Sequence, residues 1–314
     1  MFLEQGVKKE NEFWKYLLGS VVIIFAAAIG QIPLGIAVAL KAYSSKKIIL
    51  NSSDALNSLD SNGSLFLIMI SFLVAFGGIL LVVKYFHQQT LLEITTSRKK
   101  IDWKRVFFSF GLWAFFTIIT TLIAYYTSPN DMIWNFKPIP FAILFVIASV
   151  LIPVQTSVEE FVFRGYLMQG FANLARNKWF PLMMTSIIFG SMHILNPEVS
   201  KMGYSILIYY IGTGLFLGII TLMDDGMELA LGFHAANNLV TALLVTSDWT
   251  AFQTNSIFRD VSEPSSGFQI FIPVFVIFPL LLLVFSKKYN WNNWREKLTG
   301  DIKTTTNLNA EYYD

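Results

Sequence analysis

Apolar residues gather into eight long runs separated by short polar and charged breaks: Tyr16–Leu40, Leu65–Phe86, Val106–Thr127, Phe141–Val158, Trp179–Leu195, Tyr204–Met223, Met227–Val245 and Phe268–Phe285. A helix of about 20 mostly apolar residues spans the hydrocarbon of a bilayer. The pattern therefore predicts an all-α, polytopic membrane helix bundle with about eight transmembrane helices. The fourth run is expected to continue as a helix toward Ala175. Pro153 should kink it, because proline removes one backbone donor and crowds the preceding turn. The first run follows Lys8, Lys9 and Lys15, as a signal peptide does, but it is longer than a signal core and reads as an uncleaved anchor. Ser44–Ser64 and Ser247–Gly267 read as polar loops on the outer side. Gly300–Asp314 reads as a polar tail, expected to be disordered.

Composition agrees with that pattern. Only 14% of the 314 residues are charged and 54% are hydrophobic, whereas soluble domains carry about 25% charged residues. There is no cysteine, which excludes disulfides, thiolate metal sites and a cysteine nucleophile. The net charge of +2 is spread over Lys and Arg between the runs, not gathered in a basic patch, so nucleic acid is not an expected partner. Arg98, Lys99, Lys100, Lys104 and Arg105 follow the second run. Arg164, Arg176 and Lys178 follow the fourth, and Lys287, Lys288, Arg295, Lys297 and Lys303 follow the last. The positive-inside rule then predicts a multi-pass protein of the cell membrane with both termini cytoplasmic. Lys41, Lys46 and Lys47 weaken that bias at the first loop.

Against this apolar background a few polar groups stand out. Glu159 and Glu160 lie side by side at the end of the fourth run, with Arg164 one turn later. Ionisable groups at membrane depth cost roughly 2.5–3.5 kcal/mol each on insertion scales, and they are kept where they face protein or water. Glu160 and Arg164 are spaced i,i+4 and can pair on one helix face. Glu159 lies about 100° round the helix and projects elsewhere. Two of the three histidines also lie within apolar runs. His193 follows Phe189 by one turn, with Gly190 between them permitting close helix approach. His234 is one turn before Asn237 and Asn238, either of which could share its face. His87, beside Lys84, reads as interfacial, and Asp224-Asp225 as a solvated turn. Gly214 and Gly218 have the spacing of close helix packing in lipid.

These groups form a chemical set. A carboxylate and a neutral imidazole can hold and deprotonate water. A second imidazole and an amide can stabilise an oxyanion. Two glutamates and two histidines also suffice as zinc ligands with an open position. Glu159, His193 and His234 are the candidate ligands. The helical HExxH signature is absent, so zinc is permitted and not indicated.

Glu159-Glu160-Phe-Val-Phe-Arg164 matches EExxxR, Phe189-Gly-Ser-Met-His193 matches FxxxH, and His234-Ala-Ala-Asn237-Asn238 matches HxxxN. In this order the motifs resemble the CPBP (Abi) intramembrane proteases, which include type II CAAX prenyl endopeptidases and bacteriocin-processing and immunity proteins. The resemblance covers about Phe141 to Val245. It divides the chain into an N-terminal three-span region (1–138), a catalytic core (139–247), and a last span with its tail (248–314). It implies that Glu159 and His193 activate water and that Glu160 and Arg164 orient the site. It further implies that His234 and Asn238 stabilise the oxyanion and that Phe189 packs the site. The expected activity is an intramembrane endopeptidase, or metalloendopeptidase, acting on a membrane-tethered peptide or protein in the lipid bilayer. The alternatives are a non-proteolytic scaffold or immunity protein of the same fold and, less favoured, an ion-coupled transporter. The transporter is disfavoured because the polar set is compact and no paired broken helices occur in two halves.

Overall fold

In the computed structural model, which describes residues 2–7, 11–45, 58–264 and 267–302, the first apolar run folds as two consecutive helices, α1 (Phe13–Gly30) and α2 (Ile32–Ser45). Pro33 has no amide to donate into the preceding turn, which accounts for the break between them. Helix α3 (Ser61–Phe86) starts where Asp60 accepts from the Gly63 amide. Helix α4 (Trp103–Thr127) starts where Asp102 accepts from the Lys104 amide. Both caps satisfy amides that the first turn leaves without partners. Helix α5 (Pro138–Glu160) contains Pro153 and runs on through a π-helical stretch, Phe161–Leu167, into α6 (Met168–Ala175). Then come α7 (Trp179–Met192), the short α8 (Pro197–Met202), α9 (Ile206–Asp224), α10 (Glu228–Leu244), α11 (Phe278–Tyr289) and α12 (Trp294–Thr299). Residues 46–57 of the outer polar loop and 303–314 of the tail lie outside the described residues, with Lys8, Lys9, Lys46, Lys47 and Lys303 of the charge pattern.

Among the described residues, six helical segments are long and apolar enough to cross a membrane: Phe13–Ser45, Ser61–Phe86, Trp103–Thr127, Pro138–Ala175, Ile206–Asp224 and Phe268–Tyr289. The other two expected spans are shorter. Helix α7 has 14 residues and α10 has 17, about 21 and 25 Å at 1.5 Å per residue, against a hydrocarbon core of about 30 Å. The eight spans thus resolve into six long helices and two short ones. The reason is visible in α10, where ten residues are buried, Glu228 and His234 among them. A helix walled by protein needs neither full length nor an apolar surface all round.

The short helices are held by backbone contact. A Cβ at Gly232 would lie 2.1 Å from the Val106 carbonyl oxygen, so α10 packs directly on α4. A Cβ at Gly190 would lie 2.8 Å from the Ile211 amide nitrogen, and one at Gly214 would lie 3.0 Å from the Ser186 Cα. Helices α7 and α9 meet at the small residues that the sequence marks for close approach. Facing outward, Val21, Ile24, Phe25, Phe107, Phe115 and Val146 are exposed and apolar, as a lipid-facing surface requires.

Both described ends of the chain lie at one end of the bundle. The Phe2 amide donates to Asp225, Lys297 pairs with the same carboxylate, and the Ile302 amide donates to the Arg176 carbonyl at 2.9 Å. The Asp224-Asp225 turn is not solvated as expected. Asp224 is 5% exposed and pairs with Arg98 (3.1 Å) and Arg105, while Arg98 also holds Glu228 at 3.0 Å. His87 is likewise not interfacial but buried. Its Nδ1 meets Asn11 Oδ1 and its Nε2 meets Tyr166 Oη, each at 3.1 Å. Burial, and then the nearby Lys15 charge, lower its pKa to about 4. At the opposite end, β1 (Met132–Trp134) pairs antiparallel with β3 (Phe258–Asp260), which pairs parallel with β2 (Val245–Thr246). This small sheet is the one addition, among the described residues, to an otherwise helical fold.

Candidate active site

Glu159 and Glu160 end α5, and the π-helical stretch that follows carries Arg164. Single π turns inside α-helices recur at functional sites. Glu160 and Arg164 are both fully buried and pair at 3.0 Å. The guanidinium also donates to the Gly214 carbonyl at 3.2 Å and lies 4.5 Å above the Phe189 ring. Arg164 therefore ties α5 to α9 while neutralising Glu160, the pairing that the i,i+4 spacing predicts.

His234, from α10, joins the two carboxylates. Its Nδ1 lies 2.7 Å from Glu160 Oε1 and its Nε2 lies 3.4 Å from Glu159 Oε2. A carboxylate only accepts, so Nδ1 carries the hydrogen that binds Glu160. The Nε2 edge faces Glu159, so one ring bridges the two neighbouring acids. Glu159 is the more open of the two acids, with 19% of its side chain exposed against 0% for Glu160. Its other oxygen accepts from Gln155 Nε2 at 2.7 Å, and Gln155 Oε1 in turn accepts from Asn238 Nδ2 at 3.2 Å. Counting from Glu228, His234 is six residues along α10, about 9 Å from the end where Arg98 is anchored. The polar set is thus inside the bundle, in the half nearer the chain termini.

His193 terminates α7. Its Nδ1 donates to the Phe189 carbonyl at 2.8 Å, which leaves Nε2 as an acceptor. Its ring stacks on Tyr210 with centroids 4.3 Å apart. Among the described residues no hydrogen bond joins His193 to Glu159. The connection runs through Phe189, whose ring lies 4.9 Å from His193 and 6.1 Å from His234. Glu159, Glu160, Arg164 and His234 thus form one polar cluster, which Gln155 extends to Asn238, and His193 flanks it.

The zinc ligand set of Glu159, His193 and His234 is not assembled. Among the described residues no three His, Asp or Glu side chains stand together as a metal site. Both nitrogens of His234 face carboxylates, so neither points with them toward a common ion. Gln155 escaped sequence reasoning altogether. It is an uncharged residue outside the three motifs, and its i,i+4 spacing to Glu159 was the one available signal.

Residues 137–240 match the family described as type II CAAX prenyl endopeptidase Rce1-like. The match runs from the start of α5 into α10 and contains every member of the polar group. Along its length the chain is similar to a Bacillus subtilis (strain 168) protein described as "Uncharacterized protein YyaK". The two are 26% identical over 285 residues, which cover 90% of this chain and 95% of that one. No solved structure matches the chain. Three motifs in order, two of them meeting at the paired carboxylates, and the match over 137–240 make this segment of a multi-pass helical membrane protein similar to the Rce1-like type II CAAX prenyl endopeptidases.

Proposed function

We propose that the protein is an intramembrane endopeptidase that hydrolyses a peptide bond in a membrane-tethered peptide or protein, with residues 139–247 as its catalytic core. The observation that carries this is Glu159: a mostly buried carboxylate with one edge open, beside an imidazole that Glu160 and Arg164 hold in place. Glu159 takes a proton from water as the oxygen attacks the scissile carbonyl carbon. The proton then passes to the departing amine as the C–N bond breaks. The amide hydrogen of Asn238 that Gln155 does not use is a donor for the oxyanion, and His234, whose Nδ1 hydrogen is held by Glu160, becomes a second donor when Nε2 is also protonated. The Nε2 lone pair of His193 is a second acceptor for the attacking water. A substrate tethered by a lipidated cysteine would enter from the bilayer, which fits a site near one end of the helices. That end is cytoplasmic in this reading. An impermeant maleimide reaching Thr299→Cys only from outside intact cells would refute the orientation.

The experiment is hydrolysis of a farnesylated CAAX-type peptide by purified protein in liposomes. A comparison of membrane proteomes from cells carrying wild-type or Glu159→Gln protein accompanies it. Glu159→Gln and His234→Ala should each lose at least 100-fold in turnover and keep native helical content. A wild-type protein that cleaves neither the peptide nor any membrane protein, or a Glu159→Gln protein with full turnover, would overturn the reading.

A further inference from the structure

Four hydrogen bonds run from α4 through α10 to Glu159 on α5. Trp113 Nε1 donates to Asn237 Oδ1 at 3.1 Å. Asn237 Nδ2 donates to Asn238 Oδ1 at 3.0 Å, Asn238 Nδ2 to Gln155 Oε1 at 3.2 Å, and Gln155 Nε2 to Glu159 Oε1 at 2.7 Å. The sense of the chain is fixed at its origin. An indole N–H can only donate, so Asn237 must present its oxygen to Trp113 and its nitrogen to Asn238. The same constraint passes to Asn238 and then to Gln155. Amide groups that could each face either way are thereby forced to face one way, and the last of them must donate to Glu159.

We infer that Trp113, Asn237, Asn238 and Gln155 form a one-way relay that positions the Glu159 carboxylate. The inference rests on the proposed role of Glu159 as the water-activating base. Trp113 and Gln155 are positioning residues, acting through Glu159 and touching no reacting atom. Trp113 is suited to be the fixed origin. It is 7% exposed, and its ring is packed against Phe116 at 5.0 Å and Phe233 at 4.5 Å. Gln155 is 2% exposed. With Oε1 taken by Gln155, Glu159 turns Oε2 toward His234, and that oxygen is the one left for water. The charged and titratable groups around it are Glu160 and Arg164 from its own helix, His234 from α10, and His193 across Phe189 from α7. The relay supplies the uncharged side of this setting. It also gives the doubled asparagine a division of labour, with Asn237 setting the orientation of Asn238.

The test has two arms. In protein labelled with 15N at the tryptophan indole, the Trp113 Nε1–H resonance is identified by its loss in Trp113→Phe. It should move in Gln155→Met, which keeps the length of the side chain and removes the amide. It should stay in place in Ser157→Ala, whose hydroxyl bonds only the Pro153 carbonyl on the same helix. A resonance unmoved in Gln155→Met, or moved equally in Ser157→Ala, overturns the relay. In the second arm, turnover of the farnesylated peptide by Gln155→Met should fall at least 10-fold in kcat with KM within two-fold. Trp113→Phe should fall several-fold, and the double variant should be no slower than Gln155→Met, since cutting the last link already disconnects the first. Multiplicative losses overturn the inference. Should the wild-type protein cleave nothing while the resonance behaves as expected, the relay stands and the protease reading falls.

Discussion

Arg164 is the residue whose loss the structure makes most costly. It is fully buried, pairs with a fully buried Glu160 at 3.0 Å and donates to the Gly214 carbonyl at 3.2 Å. Arg164→Met would keep the side-chain length but leave Glu160 with His234 as its one strong donor and the Gly214 carbonyl without this bond. Breaking a buried pair by removing one member costs about 3–5 kcal/mol, because an uncompensated charge stays behind. That is roughly 100- to 5,000-fold in the unfolding equilibrium. An exposed pair would be worth about 0–1 kcal/mol, so the two descriptions separate cleanly. Replacing both residues, Glu160→Gln with Arg164→Met, removes the charges together and should cost less than Arg164→Met alone. The assay is SDS-induced unfolding in mixed micelles, followed by the loss of helical circular dichroism. A cost below about 1 kcal/mol for Arg164→Met, or a double variant as unstable as the single one, would refute the argument that Glu160 carries a buried charge.

Other outcomes follow from particular contacts. Gly232→Ala should push α10 off α4, since its Cβ would meet the Val106 carbonyl at 2.1 Å. An overpacking cost of about 1–3 kcal/mol is expected in the same unfolding assay. An unchanged midpoint would show that the helices can separate freely. His87, with a folded pKa of about 4 against an unfolded value near 6.5, binds its proton more readily when unfolded. Its contribution to stability is therefore complete above about pH 6.5 and is lost as the pH falls toward 4. His87→Gln should flatten the pH dependence of the thermal midpoint over that window, and an unaltered slope would count against the buried neutral ring. Tyr210→Leu removes the stack that steadies His193. Turnover of the farnesylated peptide should drop several-fold with KM unchanged, and a pure KM effect would place His193 in substrate binding.

Much of the site was legible in the sequence because it obeys local spacing. Glu160 and Arg164 pair through one helical turn, and Gly190 and Gly214 sit where α7 and α9 meet. The rest depends on contacts between distant segments, which carry no period. Trp113 reaches Asn237 across 124 positions, and its ring reads equally well as lipid-facing. Asp224 looked solvated because it sits beside Asp225 in a polar turn. The arginines that bury it come from 98 and 105. His87 looked interfacial beside Lys84, and the N-terminal residues that cover it lie more than 70 positions away. Hydropathy also counted about eight spans, because it cannot tell a short helix walled by protein from one bathed in lipid.

The π-helical stretch Phe161–Leu167 governs the angular phase of the helix around it. Each residue turns an α-helix by about 100°, and a π turn takes in an extra one. On its near side, Glu159 and Glu160 face His234. On its far side, Gln169 donates to the Glu93 carbonyl and accepts from Gln89, and within the stretch itself Tyr166 meets His87. Winding the same residues as ordinary α-helix would turn that extra residue into a rotation of one half against the other by about 100°. Either the carboxylates or the docking face would then point the wrong way. The π winding thus absorbs one residue of length without turning the site, and a further inserted residue that it did not absorb would act as a rotation of the whole site.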